Sequence, residues 1–198
     1  MKCTGRIRIS EHSKRMGCFF VVKSLTNFEK KNMAKITLKG IPANTSGNLP
    51  SKGTTAPEFT LVKSDLSSLS SSELKGKKLL LNIFPSLGTS VCPTALRKFN
   101  QLAAGLTNTL VLAISKDLPF VHRDFCAAEG IKNVITLSGF RDRAFGKAYG
   151  VDILDGLFEG LYARSVVIID EAGKVIYTQL VPEIGQEPDY DGALNALK

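Results

Sequence analysis

Residues 78–93 read KLLLNIFPSLGTSVCP, and this stretch decides the fold. Its first part, Lys78–Phe84, is a nearly continuous apolar run, which is typical of a strand covered on both faces of a sheet. The middle contains Pro85 and Gly88, which favour a loop, and Pro93 favours the first position of a helix. The sequence therefore predicts a buried strand, a loop and a helix in direct succession.

The alternation of strands and helices continues to the end of the chain. The predicted elements are the helix Pro93–Leu106, the strand Leu110–Ile114, the helix Pro119–Glu129 ended by Gly130, the strand Val134–Leu137, the helix Arg143–Tyr149, the strands Arg164–Asp170 and Val175–Val181, and the helix Asp189–Leu197. This order predicts an α/β domain with a central mixed β-sheet flanked by helices, and it fits a thioredoxin-like fold.

Upstream of the quoted stretch, the sequence predicts an N-terminal β-hairpin and a further strand. Lys35–Lys39 and Thr45–Leu49 are expected to pair through a loop at residues 40–44. Phe59–Lys63 is expected to form a short strand. The serine-rich segment Ser64–Ser72 is predicted to be turn-like and solvated.

Residues 1–32 differ in composition from the rest of the chain. They carry eight Lys or Arg residues against two Glu, so this segment holds +6 of the net charge of +8. Met33 follows directly, and we interpret residues 1–32 as a basic extension that is either disordered or upstream of the working start. The domain is then expected to span residues 33–198.

The distribution of charge excludes several classes of partner. With only +2 left for residues 33–198, nucleic-acid binding by the folded domain is not expected. No apolar run approaches the roughly 20 residues that a membrane helix requires, and Cys18–Val22 is too short for a secretory signal. We therefore expect a cytoplasmic protein without membrane contact, with an organellar transit peptide at residues 1–32 as the alternative.

The four cysteines are spread along the chain as Cys3, Cys18, Cys92 and Cys126. They form no CxxC pair, so a zinc site is not expected. The two histidines are too few for a convincing Cys-His couple, and His122 is predicted to be a solvated residue of its helix. Any chemistry of the cysteines is then redox or nucleophilic, although each could be a small apolar filler.

Cys92 has the strongest local context of the four. It is predicted to occupy the position that caps a helix begun by Pro93, where free backbone N–H groups and the positive end of the helix dipole stabilise a thiolate. Thr89 is three residues earlier and can bring its hydroxyl to the sulfur. The local sequence fits equally well a cysteine that merely caps the helix in an apolar junction.

A resemblance decides between these interpretations. Pro85, Thr89 and Cys92 match the PxxxTxxC pattern of the peroxiredoxins. The resemblance extends over residues 36–197. The chain is similar to the thiol peroxidase subfamily in the segments Asn82–Ser86, Val91–Cys92, Arg97–Gln101, Asp117–Phe120, Phe125–Cys126, Ala128–Gly130, Asn133–Ser138 and Glu187–Tyr190.

The resemblance implies a role for five residues. Cys92 would be the peroxidatic cysteine, which attacks the peroxide and becomes a sulfenic acid. Thr89 would hold the peroxide, Pro85 would shield the sulfur from water, and Arg164 would stabilise charge beside it. Cys126 would be the resolving cysteine, which forms an intramolecular disulfide after local unwinding, because a disulfide needs Cα atoms roughly 5.5 Å apart.

The same resemblance implies the partners of the reaction. They are a hydroperoxide substrate, organic peroxides included, thioredoxin as the reductant, and a second copy of the chain in a homodimer. No metal, flavin or haem is implied. Two other hypotheses use the same fold: a redox-signalling protein that passes its disulfide to a partner, and a general thiol–disulfide oxidoreductase, against which the absence of CxxC counts.

Overall fold

A computed structural model of the chain describes residues 33–198, so the predicted basic extension, with Cys3 and Cys18, lies outside the described residues. The strands are β1 Lys35–Leu38, β2 Ile41–Asn44, β3 Thr60–Lys63, β4 Ser68–Ser70, β5 Lys78–Ile83, β6 Thr109–Ser115, β7 Val134–Ser138, β8 Ser165–Ile169 and β9 Val175–Leu180. The helices are α1 Val91–Ala103, α2 Pro119–Glu129, α3 Phe145–Ala148 and α4 Tyr190–Leu197, with a 3₁₀ helix at Ser71–Leu74.

Seven strands form one sheet in the order β4-β3-β7-β6-β5-β8-β9. The β5, β6 and β7 strands run parallel, and all other neighbours pair antiparallel. The sheet is therefore mixed, as predicted. Since β5 and β6 are parallel, their carboxyl ends lie at the same edge of the sheet, and the loops that follow them meet there.

Both faces of the sheet are covered, which explains the continuous apolar run in β5. Leu79 and Leu81 point to one face and pack in a cluster with Phe145 of α3. Leu80 points to the other face and packs with Phe99 of α1 and with residues of α4. Each of these three leucines therefore meets a hydrophobic core, since successive residues of a strand alternate between faces.

The N-terminal hairpin is present, but its predicted second strand is wrong. β1 pairs with β2, Ile41–Asn44, through the two-residue turn Lys39-Gly40, and both turn residues have positive φ, 52° and 78°. These residues belong to the loop 40–44 of the predicted hairpin, and the predicted strand Thr45–Leu49 is not formed. Pro42 lies opposite Thr37, whose backbone N–H and carbonyl bond to Pro182 and Ile184 on the other side, so this pair needs no hydrogen bond from the proline nitrogen.

The serine-rich segment also differs from its prediction as a solvated turn. Ser68–Ser70 forms β4, which pairs with β3 and buries Leu69. A 3₁₀ helix follows and begins with a capping box, in which the Ser70 side chain accepts from the backbone and the Glu73 side chain accepts from the N–H of Ser70. The pairing with β3 orders the first part of the segment. The capping box then starts the helix directly after the strand.

The helix prediction for α2 is confirmed to the residue. α2 begins at Pro119 and ends at Glu129, where Gly130 adopts the left-handed conformation with φ 63°. α1 begins two residues earlier than predicted, at Val91. Among residues 33–198, no helix is long and apolar enough to cross a membrane.

Candidate active site

The loop after β5 delivers Cys92 into the first turn of α1. The helix begins at Val91 with Ser90 as its N-cap, so Cys92 is the second helical residue and not the capping residue that the sequence predicted. Its backbone still belongs to the turn whose N–H groups lack partners within the helix. The sulfur therefore remains at the positive end of the helix dipole.

The side chain of Cys92 is completely buried. It packs in an apolar cluster with Phe84, Leu87, Leu96 and Ala113. A thiolate in such surroundings requires polar partners, because burial of an uncompensated charge is costly.

Thr89 is the first of these partners. Its Oγ1 lies 2.8 Å from the Sγ of Cys92 and 2.9 Å from the carbonyl oxygen of Ser86. The hydroxyl has one proton and can donate it to a thiolate, or donate it to the carbonyl while the Cys92 thiol donates to Oγ1. Thr89 can therefore satisfy the sulfur in either protonation state.

Arg164 is the second partner and supplies a permanent positive charge. It immediately precedes β8 and is 1% exposed. Its Nη2 lies 3.2 Å from the Sγ of Cys92, and its Nε donates to the carbonyl of Ile184 at 3.0 Å. Its Nη1 is buried and has no hydrogen-bond partner among the described residues. The guanidinium is thus fixed against the sulfur, with the two N–H groups of Nη1 still available.

A cavity of about 530 Å³ opens beside these groups. Thr89 and Arg164 both line it, and so do the apolar side chains of Leu38, Val91 and Phe158. Since Thr89 and Arg164 also contact the sulfur, the cavity leads a small molecule to the two groups that surround Cys92. Pro85 is buried directly after Phe84, which packs against Cys92.

The N-terminal hairpin forms part of the cavity wall. Its tip is held by the carboxylate of Glu183, which accepts from the hydroxyl of Thr37 at 2.7 Å and from the backbone N–H groups of Lys39 and Gly40. The bond from Thr37 and those from the backbone lower the pKa of Glu183 to about 2. The carboxylate therefore stays ionised at neutral pH and keeps the hairpin over the site.

Cys126 does not join this set of contacts. It lies on α2 and is half-buried. Burial raises the pKa of its thiol, and the nearby Thr136 side chain opposes the shift only in part. Cys92 and Cys126 are both free thiols.

Helix α1 holds the end of α2 through what we call the α1–α2 clasp: Arg97, Asn100, Glu129, Lys132 and Asn133. The guanidinium of Arg97 donates two hydrogen bonds to the carboxylate of Glu129, at 2.8 and 2.7 Å. The side-chain oxygen of Asn100 accepts from the backbone N–H groups of Lys132 and Asn133, at 3.0 and 2.8 Å. The clasp joins the helix of Cys92 to the segment that follows Cys126.

Three polar residues that the sequence did not indicate also lie at this edge of the sheet: Ser115, Asp117 and His122. The prediction that His122 is solvated is wrong, because its side chain is fully buried and its Nε2 lies 2.8 Å from the hydroxyl of Ser115. The spacing of Pro119, His122 and Cys126 could have revealed the inward face of α2. Ser115 is the last residue of β6 and Asp117 follows it, and the parallel partner strand β5 leads to Cys92.

Within the described part of the chain, no group of three or more His, Cys, Asp or Glu side chains is placed to hold a metal ion. The chemistry available at the site is that of a buried sulfur between a hydroxyl and a guanidinium.

Comparison with known proteins gives consistent results. A model of the family described as Redoxin matches residues 51–194. The chain is 53% identical over 165 residues to the thiol peroxidase of Mycobacterium tuberculosis H37Rv, covering 83% of this chain and 99% of that protein. It is 54% identical over 165 residues to the thiol peroxidase of Corynebacterium glutamicum, with the same coverage.

Solved structures agree with these relatives. The crystal structure of a peroxiredoxin-like protein from Aquifex aeolicus superposes with a TM-score of 0.79 at 42% identity, covering 84% of this chain and 97% of that one. Thiol peroxidase from Chromobacterium violaceum superposes with a TM-score of 0.76 at 21% identity, over 82% and 94% of the two chains, which bears on the fold alone. The predicted thioredoxin-like fold is confirmed.

Proposed function

Since this chain belongs to the redoxin family and, within it, to the thiol peroxidases, we propose that it reduces hydroperoxides through Cys92 and Cys126. The observation that carries the proposal is the position of the Cys92 sulfur, 2.8 Å from the hydroxyl of Thr89 and 3.2 Å from the guanidinium of Arg164. A hydroxyl and a fixed cation are the groups that a sulfur nucleophile needs for attack on a peroxide.

The first step forms a sulfenic acid. The Cys92 thiolate attacks one oxygen of the peroxide, an S–O bond forms, and the O–O bond breaks. The sulfur is oxidised and the peroxide is reduced; the second oxygen leaves as an alkoxide or hydroxide and takes a proton from water in the cavity to become an alcohol or water. Thr89 holds the attacked oxygen, and the free Nη1 of Arg164 donates to the departing one. Buried Pro85 keeps water from the sulfur.

The cavity supports reduction of organic hydroperoxides as well as hydrogen peroxide. Its volume of about 530 Å³ is larger than hydrogen peroxide needs. Leu38, Val91 and Phe158 give its walls an apolar character, which favours substrates with a hydrocarbon part.

The second step forms a disulfide within the chain. The thiol of Cys126 attacks the sulfenic acid of Cys92, an S–S bond forms, and water leaves. Both sulfurs are on helices, so α2 has to unwind near Cys126 before they meet. Its last turn is exposed and ends at Gly130, which supports local unwinding there. The thiols of thioredoxin then reduce the disulfide by exchange and are themselves oxidised.

A homodimer is part of the same proposal. Leu118, Phe120, Val121 and Phe140 are each more than one third exposed. The hydroxyl of Ser138 donates to the carbonyl of Asp117 and brings their two segments side by side. An exposed apolar patch of this kind is a suitable surface for a second copy of the chain.

We also propose that residues 33–198 are the catalytic domain and that the protein acts in the cytoplasm. Every residue with an assigned role lies within 33–198, which is the catalytic domain, and residues 1–32 are an extension of it. The cycle requires Cys92 and Cys126 to return to free thiols, and the reducing cytoplasm favours that state. We place the protein there, without membrane or nucleic-acid partners.

The test is a hydroperoxide assay coupled to thioredoxin and its reductase. Wild type should consume both cumene hydroperoxide and hydrogen peroxide catalytically. Cys92→Ser should be inactive, and Cys126→Ser should complete one oxidation without recycling through thioredoxin. Absence of turnover in wild type, or turnover in Cys92→Ser, would refute the peroxidase mechanism. Slow recycling with trapped mixed disulfides to another protein would favour redox signalling instead.

A further inference from the structure

A polar network joins the loop before Cys92 to α2, and its centre is the carboxylate of Asp117. The Oδ1 atom accepts from the hydroxyl of Ser86 at 2.6 Å, and Oδ2 accepts from the backbone N–H of Leu87 at 2.8 Å. Oδ2 also accepts from the hydroxyl of Ser115 at 2.8 Å. The Asp117 side chain is only 13% exposed, so water competes little for these bonds.

From Ser86 the network continues to the sulfur. The carbonyl of Ser86 accepts from the backbone N–H of Thr89 at 3.2 Å and from its hydroxyl at 2.9 Å. The hydroxyl of Ser86 accepts from the N–H of Gly88 at 3.0 Å. Since Thr89 contacts the sulfur of Cys92, any displacement of Ser86 moves the Thr89 hydroxyl relative to that sulfur.

On its other side the network ends at a buried histidine. The Ser115 hydroxyl donates its one hydrogen bond to the carboxylate of Asp117, which can only accept. The Nε2 of His122 must therefore carry a proton and donate to Ser115. Burial lowers the pKa of His122 to about 4, although Asp117 at 3.9 Å opposes the shift. A neutral imidazole of fixed tautomer therefore orients Ser115, and Ser115 orients Asp117.

We propose that Asp117 is a positioning residue for peroxide reduction: it holds Ser86, and through Ser86 it places the Thr89 hydroxyl where the peroxide oxygen is attacked. His122 and Ser115 hold the carboxylate in that orientation. This inference rests on the proposed function, since it assigns Asp117 to the step in which Cys92 is oxidised.

The test separates positioning from general loosening of the loop. In a Cys126→Ser background, the rate of Cys92 oxidation by hydrogen peroxide is measured by competition with a haem peroxidase, and alkylation of Cys92 by iodoacetamide is measured in parallel. Asp117→Ala should slow oxidation about tenfold to 10²-fold, since small misplacements of reacting groups have effects of this size. Alkylation, which needs no oriented peroxide, should change by less than about threefold.

A double-mutant cycle gives the sharper result. Thr89→Val removes the hydroxyl that Asp117 is proposed to position, so adding Asp117→Ala to Thr89→Val should cause little further loss of oxidation rate. If the two losses multiply, or if alkylation falls in parallel with oxidation, the proposal is overturned. Should Cys92→Ser retain turnover, the proposed function fails instead, and the two failures are thereby distinguished.

Further variants guard against misfolding and test the histidine. Ser86→Ala removes the same bond on the partly exposed loop and should reproduce the loss if Asp117→Ala does not fold. His122→Gln keeps a donor toward Ser115 and should be near wild type, whereas His122→Leu should slow oxidation. Equal rates for these two His122 variants would exclude the role given to the histidine. Asp124→Ala, on an exposed side chain of α2, is the matched control and should have no effect.

Discussion

Cys92 and Cys126 lie on neighbouring helices, and the surroundings of the two sulfurs are opposite in character. Cys92 is completely buried and contacts both a hydroxyl and a guanidinium. Cys126 is half-buried, and burial raises the pKa of its thiol. The first sulfur has a permanent cation beside it, whereas burial favours the protonated form of the second.

The residues that hold the two cysteines in place differ as well: those around Cys92 are buried or half-buried, and those beside Cys126 are largely exposed. Cys92 is held by Thr89 and by Arg164, which is itself anchored on Ile184. The segment after Cys126 is held by the α1–α2 clasp, whose Arg97–Glu129 ion pair is exposed. A nucleophile benefits from fixed surroundings, whereas a resolving thiol has to travel. The difference between the two regions therefore follows the order of the two proposed steps.

The largest effect is expected from removal of the charge beside Cys92. Arg164→Gln should slow oxidation of Cys92 by hydrogen peroxide by about 10²-fold, the effect of losing one donor that stabilises developing negative charge. Arg164→Lys should keep part of the rate, because its ammonium retains the charge but cannot contact both the sulfur and the Ile184 carbonyl. Competition kinetics measures both variants.

The control for this prediction is the other cysteine. Alkylation of Cys126 should be unchanged in Arg164→Gln, since the guanidinium contacts the sulfur of Cys92 and is not among the groups that shift the pKa of Cys126. A parallel loss of reactivity at both cysteines would mean that Arg164 supports the whole fold, and the contrast between the two sites would not hold.

The sequence predicts the local parts of this contrast better than the assembled ones. α2 carries its own signals, Pro119 at the start and Gly130 after the end, so both bounds are predicted correctly. Thr89 and Cys92 are three residues apart where the loop meets the start of α1, so their contact is also a local property. The prediction of a solvated turn at Ser64–Ser72 fails because β4 is ordered by pairing with β3, and no local sequence pattern encodes that pairing.

The parts of the site that sequence analysis missed depend on distant packing. Asp117 reaches Ser86 because β5 and β6 are parallel neighbours, and the polar residues after each strand then meet. His122 is a polar residue on an otherwise exposed segment, and only the packing of α2 against the sheet buries it. Arg164 was indicated by resemblance, since its distance of 72 residues from Cys92 carries no local signal.

A second prediction concerns the part of α2 that stays in place, where His122 is buried. Its pKa of about 4 in the folded protein lies below the ordinary value of 6.5, so its contribution to stability is complete above pH 6.5 and is lost as the pH falls toward 4. Between pH 7 and pH 5 this loss amounts to about 2 kcal/mol. The free energy of unfolding from urea titrations at the two pH values measures it.

The comparison variant is His122→Gln, which keeps the bond to Ser115 and cannot titrate in this range. Its stability should fall less between pH 7 and pH 5 than that of wild type. If both proteins lose the same stability, other groups account for the dependence on pH, and the first half of α2 is not anchored by a neutral histidine.

The smallest effect is expected at the moving end of α2. Glu129→Gln removes the ion pair with Arg97 from the α1–α2 clasp, and Asp124→Asn removes a comparable exposed charge from the same helix outside the clasp. Disulfide formation after peroxide addition should be about twofold to fivefold faster in Glu129→Gln, in line with the modest strength of exposed ion pairs. Rapid acid quench and mass analysis follow the disulfide.

Faster disulfide formation should protect Cys92 from further oxidation. A sulfenic acid that waits for Cys126 can react with a second peroxide and become a sulfinic acid. Glu129→Gln should therefore require more hydrogen peroxide for inactivation than wild type or Asp124→Asn, while its first oxidation step is unchanged. If closure is equally fast in all three proteins, the ion pair does not limit the movement of α2. The contacts of Asn100 with Lys132 and Asn133 would then be the part of the clasp that opens last.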